Sequence, residues 1–393
     1  MVKDENRIIF LNQMAGPLFR ELAEDLAEVW PQSVLLTGHP DTVSYIGKSS
    51  LHIEPAPGYD RTNYFSRFIS WVKYFFKALS FIWKQPRNSR LFIVSNPPFL
   101  GLAGLFFKVL RRQRYVMLVY DIYPDLLIAL NRLEKGLLSK SWDFINRMVY
   151  EHASVVMTID DDMRIRLEKK FDVTKTDYEN ILSIPVWADI DCIKPLEKKQ
   201  NWFAIKYDLL DKTIILYSGN MGHSHDIETI LEVAKELRME ERIHFVFIGE
   251  GVKWSLVEKT INEFKLKNIT LLPFQPEEVL PMSISSGDIG VVTYEDGTQG
   301  CMSPSKSYYY MAAGLSLLVI SNHETDLTRL IGERGLGIWV KNGDVDGMSK
   351  AVKGLRDDHD RLIRYKRAAR NTAEQFYSRE NTKLFVDALN SLK

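Results

Sequence analysis

Short apolar runs recur along the chain, and most are followed by a turn and then by a segment whose apolar residues repeat at helical spacing. Apolar runs of this length are typical of strands that are buried on both faces of a parallel sheet. The pattern therefore predicts an α/β protein built from parallel sheets with helices on both faces. Two series of strands are predicted, at 8–11, 33–38, 91–95, 115–121 and 154–159, and at 213–219, 243–249, 269–274, 289–294, 315–321 and 337–340.

The length of 393 residues exceeds what one hydrophobic core usually fills, so two domains are expected. Proline, acidic residues and a charge run interrupt both patterns between 183 and 201, where the seam is predicted. A hinge is expected at 185–191. The last helical segment carries an apolar stripe that must cover another surface, formed by Leu384, Phe385, Ala388, Leu389 and Leu392.

The overall charge and the cysteine content argue against a nucleic-acid-binding protein and against a disulfide-rich secreted protein. Lys and Arg balance Asp and Glu at 51 each, so no global field recruits nucleic acid. The two cysteines, Cys192 and Cys301, suit a reducing compartment better than a disulfide framework. The N-terminus does not resemble a signal peptide, and no uncharged apolar run reaches the roughly 18–20 residues of a membrane span. A cytoplasmic protein is expected.

A local charge imbalance remains between 61 and 120, which contain eleven Lys or Arg and no Asp or Glu, interleaved with many aromatic residues. Helices that mix aromatic residues with long cations lie on anionic bilayers, which favours peripheral attachment of 61–114 to the inner face of a membrane. Two alternatives stay open: aromatic residues in the core with cations on a solvated face, or a basic groove for single-stranded nucleic acid. Since no nucleic-acid module is recognisable, nucleic acid is not expected as a partner.

The turn after the first strand of the second series, at 217–237 (YSGNMGHSHDIETILEVAKEL), combines glycines with the start of an amphipathic helix. Gly219 and Gly222 permit close approach of the backbone, and Ser224 or Asp226 can cap the helix. Such a helix terminus favours a phosphate, although the same residues also make an ordinary turn. His223 and His225 in this turn lack a third metal ligand, so no metal site is predicted; hydrogen bonding to a phosphate or sugar, or plain solvation, is expected instead.

A second candidate turn follows the strand at 289–294. Gly297 and Gly300 provide a flexible loop, and Ser303 and Lys306 lie near the start of the helix that contains YYYMAAG. Lys306 is the best single cation for neutralising a diphosphate in this region.

The motifs LYSGNMGHSHDIETIL, FVFIGEG, LLPFQPEEVLP, DIGVVTY and SPSKSYYYMAAG, in this order, resemble group 1 (family 4) glycosyltransferases of the GT-B fold. The chain looks most like the bacterial surface-polysaccharide branch related to L-fucosamine transferases, and SNPPF, YDIYPD and WADIDCIKP extend the likeness upstream. The resemblance implies two Rossmann-like domains that face a central cleft, with a C-terminal helix crossing back to the N-terminal domain. It predicts an acceptor-binding domain over 1–190 and 376–393, and a nucleotide-sugar-binding domain over 191–375.

Carried over by position, the resemblance places Gly222 and His223 beside the donor diphosphate, with Lys306 holding it. Gly251 and Phe274 would line the nucleoside. The donor-sugar loop would be presented by Gly300 and Ser303, and the acceptor side would contain Gly16 and Asp121.

The chain departs from the family at several of these positions. Where many relatives have a pair of glutamates, this chain has Cys301 and Tyr309; Tyr309 is retained as a candidate nucleotide-binding residue. Asn220 replaces a cation after the first strand of the second series, so more of the diphosphate charge would fall on Lys306 and Lys253.

The predicted activity is that of a retaining, metal-independent, hexosyltransferase-type glycosyltransferase without a cofactor. A nucleotide-diphosphate sugar, with a UDP-sugar favoured, would donate to a saccharide or polyprenyl-linked acceptor in polysaccharide or glycolipid biosynthesis. A donor phosphate oxygen would take the acceptor proton, or Asp121 would act as the general base. The alternatives are a nucleotide-sugar epimerase and a non-catalytic, membrane-peripheral subunit that binds nucleotide-sugar.

Overall fold

The computed structural model describes residues 7–45, 49–60, 63–171 and 180–392. They fall into two compact units, here called the first and second unit. The first unit contains Met1–Pro185, Gly300–Ser303 and Asn381–Lys393. The second unit contains Val186–Gln299 and Pro304–Glu380. The chain thus passes between the units at four places, one of them within the predicted seam at 183–201.

Within the described residues, the strands and helices occur in the following order. The strands are β1 (Ile8–Leu11), β2 (Val34–Thr37), β3 (His52–Pro55), β4 (Arg90–Val94), β5 (Tyr115–Val119), β6 (Val156–Thr158), β7 (Ile181–Ser183), β8 (Thr213–Ser218), β9 (Ile243–Ile248), β10 (Ile269–Leu272), β11 (Ile289–Thr293), β12 (Ser316–Ile320) and β13 (Gly337–Val340). The helices are α1 (Pro17–Val29), α2 (Pro40–Ser44), α3 (Tyr64–Trp83), α4 (Gly101–Arg111), α5 (Asp125–Ala129), α6 (Leu137–Glu151), α7 (Asp161–Phe171), α8 (Trp202–Lys206), α9 (Glu228–Glu236), α10 (Trp254–Phe264), α11 (Leu280–Ser285), α12 (Lys306–Ala312), α13 (Asp326–Arg334), α14 (Val345–Asp357), α15 (His359–Phe376) and α16 (Thr382–Asn390).

The first unit is built on a parallel seven-stranded sheet in the order β3-β2-β1-β4-β5-β6-β7. The central strands β1, β2 and β5 are buried along their whole length, which is why their unbroken apolar runs predicted them. All five predicted strands of this unit are confirmed. The two edge strands were not predicted, because β3 is partly exposed and polar and β7 has only three residues.

The last helix, α16, belongs to the first unit, as the predicted return of the chain requires. Phe385 is fully buried, and its ring centroid lies 6.5 Å from that of Phe92 on β4. The hydroxyl of Thr382 donates to the carboxylate of Asp25 on α1 at 2.9 Å. Burial of a side chain such as Phe385 contributes about 1.5–3 kcal/mol. The predicted stripe is confirmed at Phe385, Ala388 and Leu389, whereas Leu392 is half-buried and Leu384 is 46% exposed.

The second unit contains a parallel six-stranded sheet in the order β10-β9-β8-β11-β12-β13. All six strands of the second series are confirmed. From β8 the chain winds outward through β9 to β10, and from β11 it winds the opposite way through β12 to β13. The carboxyl ends of β8 and β11 therefore flank the topological switch point, where open α/β sheets bind ligands.

No helix within the described ranges combines the length and the apolar character needed to cross a membrane.

Candidate active site

The turn that follows β8 packs directly against the turn that follows β9. Gly219 has φ +140° and Gly249 has φ +145°, values that side-chain-bearing residues rarely adopt. The Gly219 N–H donates to the carbonyl of Ile248 at 2.8 Å. A Cβ on Gly249 would lie 2.0 Å from the Gly219 oxygen. Only glycine at 249 allows this contact between the two backbones.

The same two turns are hydrogen-bonded again two residues further along each of them. Met221 N–H donates to the Glu250 carbonyl at 2.7 Å, and the Met221 carbonyl accepts from Lys253 N–H at 3.0 Å. Gly251 has φ +136°, and a Cβ there would lie 2.6 Å from the Met221 oxygen. The structure thus brings the predicted residues Gly222 and Gly251 into one backbone cradle, in which a Cβ on Gly222 would meet the Asn220 amide at 2.7 Å.

Asp226 caps the helix that leaves this cradle. Its Oδ1 accepts from Thr229 N–H at 2.9 Å, and its Oδ2 accepts from the Asn342 amide at 2.9 Å. The predicted choice between Ser224 and Asp226 is therefore settled in favour of Asp226. This second bond also ties the start of α9 to the loop after β13.

Lys306 extends from the first residue of α12 to the turn after β8. Its Nζ lies 3.7 Å from the centroid of the Tyr217 ring, and a Cβ on Gly219 would lie 3.6 Å from Nζ. The ammonium is buried, and no hydrogen-bond acceptor contacts it among the described residues. Burial lowers the pKa of Lys306 well below its usual 10.5. The structure therefore holds the buried amino group of Lys306 beside a glycine turn, with no anionic partner within the described ranges.

Two tyrosines that the sequence analysis did not identify as site residues, and His225 of the turn after β8, lie in this region. Tyr217 donates its hydroxyl to the Asn220 carbonyl at 2.7 Å, and Tyr310 accepts from Ser218 N–H at 2.7 Å. The Nδ1 of His225 lies 3.2 Å from the Thr293 carbonyl. Burial, and secondly the charge of Lys306, hold the pKa of His225 well below 6.5, so the imidazole is neutral at pH 7.

The two tyrosines could not be found from local sequence. They are embedded in strand β8 and helix α12, and either ring could equally be core. Only the adjacency of β8 and β11 in the sheet, which is not sequential, brings α12 over the end of β8.

The second predicted cation, Lys253, has a different environment. Its ammonium donates to the carbonyl of His225 and to the carboxylate of Glu228, both at 2.7 Å, and to Glu295 at 3.3 Å. Its charge is thereby balanced by two carboxylates. Lys253 ties together the loops after β8, β9 and β11, and a role at the diphosphate stays a prediction.

The remaining predicted residues of the second unit lie at its surface. His223 follows Gly222 in the turn after β8 and is partly exposed, as is Tyr309 on α12. Phe274 follows β10 and is 44% exposed. Their contacts with a nucleotide stay predictions.

In the first unit, Asp121 lies just beyond the end of β5. Its N–H is 3.3 Å from the Ser95 hydroxyl, and burial raises the pKa of its carboxyl from 3.8 to about 6. The carboxylate borders a cavity of about 20 Å³ that Tyr123 and Trp142 also line. The Trp142 ring is stacked between Tyr123 and Phe99, at centroid distances of 5.9 and 4.5 Å. A carboxyl group that titrates near neutrality thus lies beside an aromatic stack.

The segment Gly300–Ser303 belongs to the same unit. Met302 forms an isolated antiparallel bridge with Asp121, and the Cys301 carbonyl accepts from Ile122 N–H at 2.8 Å. The Cys301 side chain is fully buried and packs with Leu126 and Met302, and burial raises the pKa of its thiol to about 11. A neutral, buried thiol cannot provide the charge of the glutamate that the family resemblance would predict at this position.

The other predicted residues of the first unit are Gly16, Gly300 and Ser303. Gly16 precedes α1 as its N-cap residue, and the nearest atom to an added Cβ would be His39 Nε2 at 4.0 Å. Gly300 has φ +68°, and a Cβ there would lie 3.2 Å from the Asp162 oxygen. Ser303 ends the segment and is partly exposed. Within the described ranges, no three His, Cys, Asp or Glu side chains are grouped in a way that could hold a metal ion.

Comparisons with known proteins agree with the motifs of the second unit. Residues 212–358 match the family model described as "Glycosyl transferases group 1". The probable glycosyltransferase WbjE of Pseudomonas aeruginosa is 27% identical over 62% of this chain and 60% of its own length. The putative colanic acid biosynthesis glycosyl transferase WcaI of Escherichia coli K12 is 29% identical over 52% of this chain and 49% of its own. The chain thus aligns with only about half to three fifths of these relatives.

Among solved structures, Alr3699/HepE of Anabaena in complex with UDP and glucose has a TM-score of 0.75 at 11% identity, over 98% of this chain and all of its own. WaaG, a glycosyltransferase involved in lipopolysaccharide biosynthesis, has a TM-score of 0.70 at 11% identity, over 98% and 100% of the two chains. These likenesses confirm the predicted α/β fold of the GT-B class. Together with the family model, they confirm the resemblance to group 1 glycosyltransferases.

Proposed function

Residues 212–358 form a group 1 glycosyltransferase domain, and on this premise we propose that the protein transfers a sugar from a nucleotide-diphosphate sugar. The acceptor is a saccharide or a lipid-linked saccharide, and the product belongs to polysaccharide or glycolipid biosynthesis. The observation that carries the proposal is the buried amino group of Lys306 beside the turn after β8, for which the described part of the chain provides no anionic partner.

A nucleoside diphosphate leaves the sugar readily only if its growing negative charge is stabilised. The β8 and β9 turns form a backbone cradle at the carboxyl edge of the sheet, and Lys306 offers a cation in a dry environment. Preorganised groups of this kind are worth far more to a developing anion than mobile ones in water. Since Lys306 supplies positive charge at this point, we propose that transfer is independent of metal.

A UDP-sugar is the proposed donor. The structure of HepE, which shares the fold, is described with UDP and glucose, and another with UDP-glucose.

The proposed stereochemical outcome is retention. The acceptor hydroxyl attacks from the face that the diphosphate leaves, and a donor phosphate oxygen takes its proton. Asp121 is proposed to orient the acceptor or to take that proton in its place, because a carboxyl with a pKa of about 6 is ionised yet still basic at pH 7. On this proposal the first unit binds the acceptor and the second unit binds the donor.

The experiment is a measurement of UDP release from a panel of UDP-sugars, with and without a polyprenyl-diphosphate-linked sugar. We expect release that depends on the acceptor with at least one donor, and loss of that release in Lys306→Met. Lys259→Met, which removes an exposed lysine elsewhere in the second unit, is the matched control. Tight UDP binding without turnover by any donor would instead identify a non-catalytic binding subunit.

A further inference from the structure

The outer face of α3 carries an exposed apolar stripe. Its members recur at spacings of three, four, four and seven residues, which places them on one side of the helix. They are Phe65, Phe68, Val72, Phe76 and Trp83, exposed by 74%, 59%, 36%, 63% and 57%. The opposite side is fully buried at Tyr74, Ala78 and Ile82. The helix is therefore anchored to the first unit by one apolar face and presents a second one outward.

Two neighbouring helices present apolar side chains as well. On α4 these are Phe106, Val109 and Leu110, exposed by 49%, 74% and 52%, and on α6 they are Leu137, Leu138 and Phe144, exposed by 83%, 68% and 63%. Helix α4 packs against both α3 and α6. The three helices connect strands that advance in one direction across the sheet, so right-handed crossovers put them on the same sheet face. We call these eleven side chains the outer apolar face.

Lysines border the stripe on α3. Lys73, Lys77 and Lys84 each directly follow a member of the stripe, so they line one flank of it. Lys77 forms an ion pair with Glu54 at 3.0 Å, whereas Lys73 and Lys84 are exposed. The sequence has no Asp or Glu between 61 and 120. Of this segment, Arg61 and Thr62 lie outside the described residues.

We propose that the outer apolar face docks in the plane of an anionic lipid bilayer, with the lysines of α3 at the headgroups. Apolar side chains of this kind enter the interface while long cations reach the anionic surface. A second copy of the chain is a poorer occupant, because it would bring two cation-bordered surfaces together. The proposal stands apart from the transferase activity, since docking is measured without donor or acceptor.

The test is co-sedimentation of the full chain with vesicles of phosphatidylglycerol and phosphatidylcholine. We expect binding that falls with added salt and with the fraction of phosphatidylglycerol. Lys73→Glu with Lys84→Glu is expected to lower the partition coefficient at least about 30-fold, since each cation near an anionic surface is worth about 1 kcal/mol. Phe65→Ser with Phe68→Ser and Phe76→Ser is expected to lower it at least about tenfold.

Matched controls lie on the second unit. Lys259→Glu with Lys350→Glu makes the same charge change at exposed positions, and Met239→Ser removes an apolar side chain that is 82% exposed. Both controls are expected to bind like the wild type. Circular dichroism of every variant checks that it folds. The proposal is overturned if the wild type stays in the supernatant, or if test and control variants bind equally. It is also overturned if sedimentation velocity without vesicles shows a dimer that the phenylalanine variant dissociates.

Discussion

The substitution Lys306→Met tests two effects of a buried charge separately: its effect on the stability of the unliganded protein and its effect on activity. The ammonium lies against the Tyr217 ring and has no hydrogen-bond acceptor among the described residues. Methionine fills a similar volume, keeps contact with the ring and removes the charge. Because burial disfavours the charged form, as the lowered pKa of Lys306 indicates, we expect Lys306→Met to stabilise the unliganded protein by about 1–3 kcal/mol.

The same change should abolish most of the activity. A phosphate oxygen about 4 Å from an ammonium interacts by about 4 kcal/mol at an effective dielectric constant of about 20. Removing one preorganised partner of a developing oxyanion typically costs about 3–4 kcal/mol, which is about 100–1,000-fold in turnover. We therefore expect a loss of this size in UDP release, together with weaker binding of UDP itself.

Urea unfolding and UDP release measure the two effects on the same preparations, with Lys259→Met as the control. Lys259 is exposed, so its replacement should change neither quantity by much. The reasoning is refuted if Lys306→Met is less stable than the wild type while its turnover is unchanged. That combination would make Lys306 an ordinary structural residue.

Three further predictions concern the neighbours of the proposed chemistry. Because the pKa of Asp121 is about 6 in the folded protein against 3.8 ordinarily, its contribution to stability falls as pH rises from about 4 to 6; Asp121→Asn should flatten this dependence in urea titrations and remove any acid limb near pH 6 in kcat/KM. Tyr217→Phe should cost about 1 kcal/mol of stability with little change in UDP affinity, whereas Tyr217→Leu should weaken UDP binding several-fold by calorimetry because Lys306 loses its ring. Gly249→Ala should lower both stability and UDP binding, since its Cβ would lie 2.0 Å from the Gly219 oxygen; full activity would contradict the turn geometry.

The apolar pattern predicted every central strand because those strands are buried on both faces and need no alternation of polar residues. It failed at β3 and β7, whose residues are mostly partly exposed, although the edge strands β10 and β13 of the second sheet were predicted. The sequence of the basic and aromatic segment at 61–120 also did not show which of its aromatic residues are exposed. Exposure separates Phe65 and Phe76 from the buried Tyr74, although all three are aromatic residues of one helix.

The glycine turns of the site could be predicted because glycine is the residue that tolerates such backbone angles and contacts. The residues that contact these turns could not be predicted, because hydrogen bonds such as that from Ser218 N–H to the Tyr310 hydroxyl join residues far apart in sequence. Those contacts depend on β11 lying beside β8, and a sequence does not state strand order. The Cys301 position is a similar case, since its side chain packs into the first unit although the chain before Gly300 and after Ser303 belongs to the second.

Lys253 and Lys306 are similar candidates in the sequence but have different contacts in the structure. From the sequence, each lysine follows a glycine turn and either could neutralise a diphosphate. In the fold, Lys253 lies within reach of Glu228 and Glu295, whereas the contact of Lys306 is the Tyr217 ring. A carboxylate partner would compete with an incoming phosphate for the same N–H donors. An aromatic ring stabilises an ammonium by about 0.5–2 kcal/mol through its π face and leaves the N–H donors available. Tyr217 can therefore hold Lys306 in place without saturating it, which is the property that an anion site requires.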